Sequence, residues 1–434
     1  MNSKVDLSNK HGRIAIVDVV RTPFARIATH YKDLNAIDLG VMVVNELIKR
    51  NNLNKDDIDQ LVFGMTVMIP EAPFIAREIA LQAGLENVDA YSITRACATS
   101  FQTITSAAET ILAGNADIII AGGTDSTSSV RLPMSAKFSA TLRDVNFAKT
   151  LKDRLKLLSA LRPSDILPQQ PSITEYSTHE TMGQSCEQMV KKWGISRSEQ
   201  DDLAFKSHFN ADNAWKQGYL DQQVLTATLS SGKTLKEDNL VRQNPKREAY
   251  DKLKPVFDLS GKGTVTAGNA SPLTDGASAV LLMSEEKAKA LGFEPIGYIR
   301  SYAFAAKTPK EDLLMGPVLA APIALERAGI PLAEMTLIDM HEAFAGQVLC
   351  NIKGLASDSY AKTVLNRSQA VGEVNFDLLN VNGGSVAYGH PFGATGGRVI
   401  GQTVHELKRR GGGVALTTAC AAGGIGAAMV LEVD

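Results

Sequence analysis

Short apolar runs separated by helical stretches constrain this chain more than any other feature. "RIAIVDVV" (13–20), "QLVFGM" (60–65) and "DIIIAGG" (117–123) are strand-length apolar segments, and their alternation with helices is the rhythm of an α/β fold on a buried sheet. After Cys97, the residues Ile104, Ala107, Ala108 and Ile111 fall at i, i+3, i+4 and i+7, so one helix face packs on that sheet. Gly114 is placed to end the helix.

The second half repeats the pattern of the first. "LNKDDIDQLVFG" (53–64) corresponds to "IPLAEMTLIDMH" (330–341), and the helix–strand segment "AETILAGNADIIIAGG" to "TVHELKRRGGGVALTTAC" (403–420). We therefore expect an N-terminal half over 1–126, completed by about 268–290, and a C-terminal half over 291–434. The junction of two such halves is a natural place for a site. Between them, 127–267 includes irregular stretches such as "LRPSDILPQQPSITEYS" (161–177) and reads as an inserted loop domain. Its part from 131 to 162 carries eight basic residues against two acidic ones, a local charge of +6. Phe147, Leu151, Leu155 and Leu158 share one helical face there, which predicts an amphipathic basic helix; it is read either as a solvated helix packed on its own domain, or as an element for a membrane surface or partner protein, or as an electrostatic guide for an anionic substrate.

Composition narrows the function. With 45 basic and 47 acidic residues among 434, the chain lacks the global positive field of a nucleic-acid binder. Four cysteines (Cys97, Cys186, Cys350, Cys420) stand far apart, neither a C-x-x-C metal pair nor a disulfide framework, which points to free thiols in a reducing compartment. No apolar run approaches the ~20 residues of a membrane span, and the N-terminal stretch lacks signal-peptide character. A cytoplasmic location is expected.

A thiol is a nucleophile only as thiolate, and a helix N-terminus or a nearby imidazole favours that form. "RACATS" (95–100) sets Cys97 just before the predicted helix. "NGGSVAYGHPFGATGGRVI" (382–400) frames His390 with glycines, so backbone and substrate can approach one imidazole closely, and a helix begins near Thr395 or Gly396. "TTACAAGGIGAAM" (417–429) runs a strand into Cys420 and then into small residues whose amides can face an anion. "DMHEAFAGQ" (339–347) puts His341 and Glu342 at a strand end. No metal-ligand spacing occurs among them.

Taken in order, "RACATS", "TVTAGNASPLTDGA" (264–277), "HEAFA" (341–345), "GHPFGATG" (389–396) and "CAAGGIG" (420–426) resemble the motifs of the thiolases, which cleave 3-ketoacyl-CoA with CoA. The similarity covers nearly the whole chain. With His341 where many members carry Asn, and with the basic insertion, it most resembles the β-subunits of fatty acid β-oxidation complexes, of the bacterial anaerobic branch or the mitochondrial trifunctional type.

The resemblance implies a thiolase-like fold: two pseudo-repeated α/β halves, their central sheets packed in layers, plus the inserted loop domain. It also implies that Cys97 is the acyl-carrying nucleophile, His390 its base and Cys420 the second acid/base. His341 would hold an oxyanion-binding water, and the Ala422 amide, where many members have Gly, would serve a second oxyanion hole. Ser271 and Met182 match substrate-contacting positions, with Thr181 where a histidine is common, and Arg242 is a candidate CoA-phosphate contact. Glu342 reads as an orienting residue. No permanently bound cofactor or metal is expected; coenzyme A is a substrate. The implied partners are a second copy of the chain and an α-subunit with enoyl-CoA hydratase and 3-hydroxyacyl-CoA dehydrogenase activities, in an α2β2 or larger assembly. A biosynthetic acetoacetyl-CoA thiolase and a non-catalytic thiolase-like lipid carrier are the alternatives; Cys420 argues against a condensing ketosynthase.

Overall fold

The computed structural model describes residues 12–168 and 174–434. The chain forms two compact units, one from the residues up to Ser129 together with Glu175–Asp434, the other Val130–Thr174.

Among the described residues, nine strands build the main sheet of the larger unit: β1 (Ile14–Arg21), β2 (Gln60–Gly64), β3 (Asp89–Ile93), β4 (Ile118–Asp125), β5 (Thr274–Ser284), β6 (Gly297–Ala306), β7 (Leu337–Met340), β8 (Gly413–Ala421) and β9 (Ile425–Val433). Their order is β7-β8-β9-β6-β1-β5-β4-β2-β3, and a short strand, Ala25–Arg26, is added on β5. The internal repeat is visible in this topology. A single 3-10 turn precedes β2 (Lys55–Asp57) and another precedes β7 (Leu332–Glu334). β2 pairs in parallel with β4, which follows helix α1 (Thr99–Leu112); β7 pairs in parallel with β8, which follows helix α5 (Thr395–Arg409). β4 then runs antiparallel to β5, as β8 does to β9. The half-sheets join where residues 14–16 of β1 pair with 297–299 of β6.

Helices α1 and α5 share one apolar core. Phe101, Ile104 and Ile111 of α1 and Val399, Ile400 and Val404 of α5 are buried together with residues of both half-sheets, each contributing roughly 1.5–3 kcal/mol by leaving water. The predicted i, i+3, i+4, i+7 face is the one that packs, and Gly114, at φ +74°, follows the helix end. Packing α1 against α5 sets the two halves' candidate residues side by side.

Of the expected insertion over 127–267, only Val130–Thr174 stands as its own unit; from Glu175 onward the chain is built into the larger one. The reason is burial. Helices α2 (Met182–Lys192) and α3 (Arg197–Lys216) pack on α4 (Ala345–Leu355), placing Cys186, Met189, Val190 and Leu203 in one core with Val348, Cys350 and Ile352. A buried ion pair adds a tether: the Arg21 guanidinium donates to both Asp238 oxygens at 2.6 and 2.8 Å, and Asp238 also accepts the Phe24 N–H.

In the smaller unit the single amphipathic helix is two helices, Ala136–Phe147 and Leu151–Ser159. Ala148 is extended, and Thr150 caps the second helix by accepting the Asp153 N–H, so Phe147 ends one helix while Leu151, Leu155 and Leu158 line the next. All four side chains are exposed, Phe147 by 76%. Among the described residues no helix is long and apolar enough to cross a membrane.

Removing one partner of a buried ion pair strands the other charge, at a cost of about 3–5 kcal/mol. Asp238→Ala is therefore expected to lose stability of that order in urea unfolding, with the chain between α3 and β5 becoming protease-sensitive first.

Candidate active site

Cys97 sits in the turn between β3 and α1. Ala96, just before it, has φ +47°, a left-handed conformation that costs a non-glycine residue on the order of 1 kcal/mol. Hydrogen bonds hold it there: Thr99 Oγ1 accepts the Arg95 N–H (2.8 Å), and the Ala96 carbonyl accepts from Thr99 Oγ1 (2.7 Å) and from Thr66 Oγ1 (3.1 Å). The half-buried thiol leaves this turn next to the second half's loop 420–424, and the Ala422 N–H hydrogen-bonds its sulfur. Ala422 itself avoids positive φ, because Gly423 (φ +78°) and Gly424 (φ +72°) take the left-handed positions after it. Cys420, at the end of β8, is buried and close enough for its charged form to be disfavoured by that of Cys97.

Two imidazoles form a second pair. His390 follows Gly389, whose φ is +94° and where a Cβ would meet Thr274 at 2.2 Å. The His390 N–H donates to the Pro272 carbonyl (3.3 Å), and its Nδ1 lies 2.6 Å from Thr395 Oγ1, the first residue of α5. His341, one residue past β7, donates its N–H to the Thr418 carbonyl of β8 (2.9 Å) and sets Nδ1 2.8 Å from Ser385 Oγ. The ring centroids are 4.2 Å apart. Both rings are buried, and neither Nε2 has a protein hydrogen-bond partner among the described residues.

Burial dominates the electrostatics. It pushes the Cys97 thiol up to about 12, against the Ala422 N–H that favours the thiolate, and Cys420 is raised well above the usual thiol range for the same reason. His390 is pushed down to about 3 by burial and by the Arg398 charge, and His341 is held well below the usual imidazole range by burial, then by His390 and Arg398. This corrects the expectation that a helix N-terminus activates Cys97. α1 begins only at Thr99, after the thiol, and the loss of water outweighs the amides. Burial thus biases all four groups, two thiols and two imidazoles, toward their neutral forms.

The family models "Thiolase, N-terminal domain" and "Thiolase, C-terminal domain" match residues 14–286 and 293–433. The chain belongs to the thiolase family. It is 58% identical over 425 residues to a 3-ketoacyl-CoA thiolase of Pseudoalteromonas translucida (strain TAC 125), covering 98% of this chain and 97% of the relative. A 3-ketoacyl-CoA thiolase of Serratia proteamaculans (strain 568) is 55% identical over 437 residues, covering 100% of both chains. Among solved structures, human mitochondrial 3-ketoacyl-CoA thiolase superposes with a TM-score of 0.83 at 30% identity, over 97% of this chain and 98% of that one. The acetyl-CoA acetyltransferase of Bacillus anthracis gives 0.82, also at 30% identity and over the same shares of the two chains.

The remaining thiolase-type positions lie on separate elements. Ser271 donates both its N–H (3.0 Å) and its hydroxyl (2.9 Å) to the Ala343 carbonyl, one residue before the Pro272 carbonyl that holds His390. Met182 opens α2, capped by Thr181, and packs on the core that includes Phe344 and Cys420. Arg242 is exposed and lies over the Tyr250 ring at 4.8 Å, so the structure does not draw it to either pair. The buried Glu342 carboxylate accepts from Ser207 Oγ (2.7 Å), Asn380 Nδ2 (2.6 Å) and the Val386 N–H (3.1 Å), tying the end of β7 to the loop before His390. Among the described residues no group of three or more His, Cys, Asp or Glu is placed to hold a metal ion.

Sequence reasoning missed Asp125, at the end of β4. Its buried carboxylate accepts the N–H groups of Thr66 (3.0 Å), Val67 (2.7 Å) and Gly393 (2.6 Å). Only its position at the end of the "DIIIAGGTD" strand could have hinted at this.

A thiol raised to about 12 by burial holds almost no thiolate at neutral pH, and its thiolate fraction grows tenfold per pH unit. Alkylation of Cys97 by iodoacetamide should therefore keep accelerating past the ~8.5 of a free cysteine without levelling. A plateau near that value, followed by mass spectrometry of the Cys97 peptide, would show that burial does not control this thiol.

Proposed function

We propose that this thiolase-family acyltransferase cleaves medium- and long-chain 3-ketoacyl-CoA with CoA in fatty acid β-oxidation, releasing acetyl-CoA and a shortened acyl-CoA. The observation that carries this reading is a pair of facing imidazoles, His341 and His390, with ring centroids 4.2 Å apart, together with a pair of thiols, Cys97 and Cys420, close enough for their charges to act on each other, all four drawn from separate stretches of chain.

In this reading His390 Nε2 takes the Cys97 proton as the sulfur attacks the 3-keto carbon. The C2–C3 bond breaks, and its electrons form the enolate of acetyl-CoA. His390, now carrying the proton, and His341 stabilise the enolate oxygen, while the Cys420 S–H protonates C2. CoA then delivers its thiol proton to the Cys420 thiolate and attacks the Cys97 thioester. Cys97 leaves and recovers its proton from His390. The N–H groups of Cys97 and Ala422 serve the thioester oxygen, a role supported by the Ala422 amide already pointing at the sulfur. A neutral resting pair suits this sequence, since a thiolate–imidazolium pair would carry the desolvation cost of two buried ions. Ser271 and Met182 would line the pantetheine and acyl path, with Arg242 at the CoA phosphates. CoA acts throughout as a substrate and no bound cofactor is required.

The reading includes a homodimer and an α-subunit partner that supplies the 3-ketoacyl-CoA, in the cytoplasm. Support for the dimer comes from β3, which ends the sheet, its outer edge unpaired among the described residues, and leads directly to the Cys97 turn. Four free cysteines agree with a reducing compartment. The exposed Phe147, Leu151 and Leu155, set among basic residues, support docking of the smaller unit on the α-subunit or a lipid surface.

Thiolysis of a short and a long 3-ketoacyl-CoA, with and without an α-subunit, tests the activity. Cys97→Ala should abolish turnover and Cys420→Ala should lower kcat by at least ~10²-fold, the usual effect of losing a general acid/base. Turnover confined to acetoacetyl-CoA would replace the long-chain reading by the biosynthetic one, and full turnover in Cys97→Ala would defeat the mechanism. Separately, replacing Lys149, Lys152, Arg154 and Lys156 together by Gln should weaken α-subunit co-purification or binding to anionic liposomes. If neither changes at physiological salt, the smaller unit docks on neither.

A further inference from the structure

Behind His341 lies a polar chain that the proposed mechanism does not use. Ser385 Oγ, fully buried, lies 2.8 Å from His341 Nδ1 and accepts a hydrogen bond from Arg398 Nη2 at 2.9 Å. Arg398 is itself 1% exposed, and its Nη1 is 3.9 Å from an oxygen of the buried Asp339. A guanidinium has five donors and no acceptor, and a serine hydroxyl has one proton to give. With one lone pair of Ser385 Oγ committed to Arg398, the hydroxyl proton has a single acceptor among the described residues, His341 Nδ1. The reverse arrangement, with Nδ1 protonated, would make Ser385 accept twice and leave its own proton without a partner in a buried site, which costs the desolvation of that group. The Ser385 hydroxyl is therefore satisfied in one direction only, Arg398 to Ser385 to His341.

Resting on the thiolase reading above, we propose that Ser385, held by Arg398, is a positioning residue that fixes His341 as the Nε2–H tautomer, so that this N–H itself donates to the enolate oxygen. The consequence differs from the expectation of a water held by His341: the donor is the ring. It also gives the facing imidazoles different controls. The His341 proton is fixed at Nε2 by a cation-anchored serine. His390 Nδ1 meets Thr395 Oγ1, and among the described residues no cation anchors that hydroxyl, so the His390 ring keeps the freedom to take and release a proton that a base needs.

The test uses the full-length protein labelled with 15N-histidine. Seven histidines make the imidazole spectrum assignable with single His→Asn variants. In the wild type the His341 signals should report an unprotonated Nδ1 and a protonated Nε2 across neutral pH. Ser385→Ala should mix the tautomers and lower kcat for thiolysis by about 10²-fold, as for loss of one pre-organised donor. KM and the rate of Cys97 alkylation should stay near wild type, and Ser385→Thr should restore both the tautomer and much of the rate. A wild-type His341 protonated at Nδ1 overturns the proposal, whether or not any variant folds. So does a Ser385→Ala enzyme with wild-type kcat. A protein that shows the Nε2–H tautomer yet thiolyses no 3-ketoacyl-CoA would instead defeat the functional reading and leave the tautomer assignment standing.

Discussion

The Asp125 carboxylate accepts N–H groups from Thr66 and Val67 in the first half and from Gly393 in the second, and the relative placement of the candidate residues depends on that arrangement. Thr66 in turn donates its hydroxyl to the Ala96 carbonyl, next to Cys97, while Gly393 lies between His390 and the Thr395 hydroxyl that meets its ring. A second strap runs beside the first, from Ser100 Oγ on α1 to the Gly393 carbonyl. The approach is so close that a Cβ on Gly123 would meet that carbonyl oxygen at 2.1 Å. Burial pushes Asp125 up to about 7, opposed by its backbone donors, so one buried group is held against its own solvation preference at the seam of the two halves.

The same dryness shapes the site's chemistry. Water is what normally stabilises a thiolate or an imidazolium, and its removal drives the thiols up and the imidazoles down, which biases all four groups toward their neutral forms. Charge then has to be created during a reaction, next to donors already in place, rather than stored beforehand. Oriented groups of this kind act most strongly where the local dielectric is low. The buried Glu342 and Arg398 follow the same logic. Each is a charge tied into hydrogen bonds behind a site residue, organising the loop 382–390 from below.

How much of this was legible in the sequence depends on the range of the interaction. The strand of "DIIIAGG", the packed face of α1, its glycine terminator and the repeat of turn, strand and helix are local patterns, and each stands in the structure. The expected insertion differs from the compact unit past residue 174 because the packing of α2 and α3 on α4 is decided by a helix some 150 residues later in the chain. The amphipathic helix of 147–158 was drawn across a break that the Thr150–Asp153 cap creates. Asp125 and Ser385 went unnoticed because an acid after a strand and a serine among glycines are ordinary locally; only their partners, 268 and 44 residues away, give them a role.

By itself the sequence determined the α/β class, the two-fold repeat, the family and which side chains are candidates for the chemistry, because strand and helix periods, turn glycines and motif order are written in neighbouring residues. Tertiary structure alone decided which of those groups meet, how far burial moves their protonation and where the anchoring charges lie. Those properties depend on water excluded between segments that share no stretch of sequence.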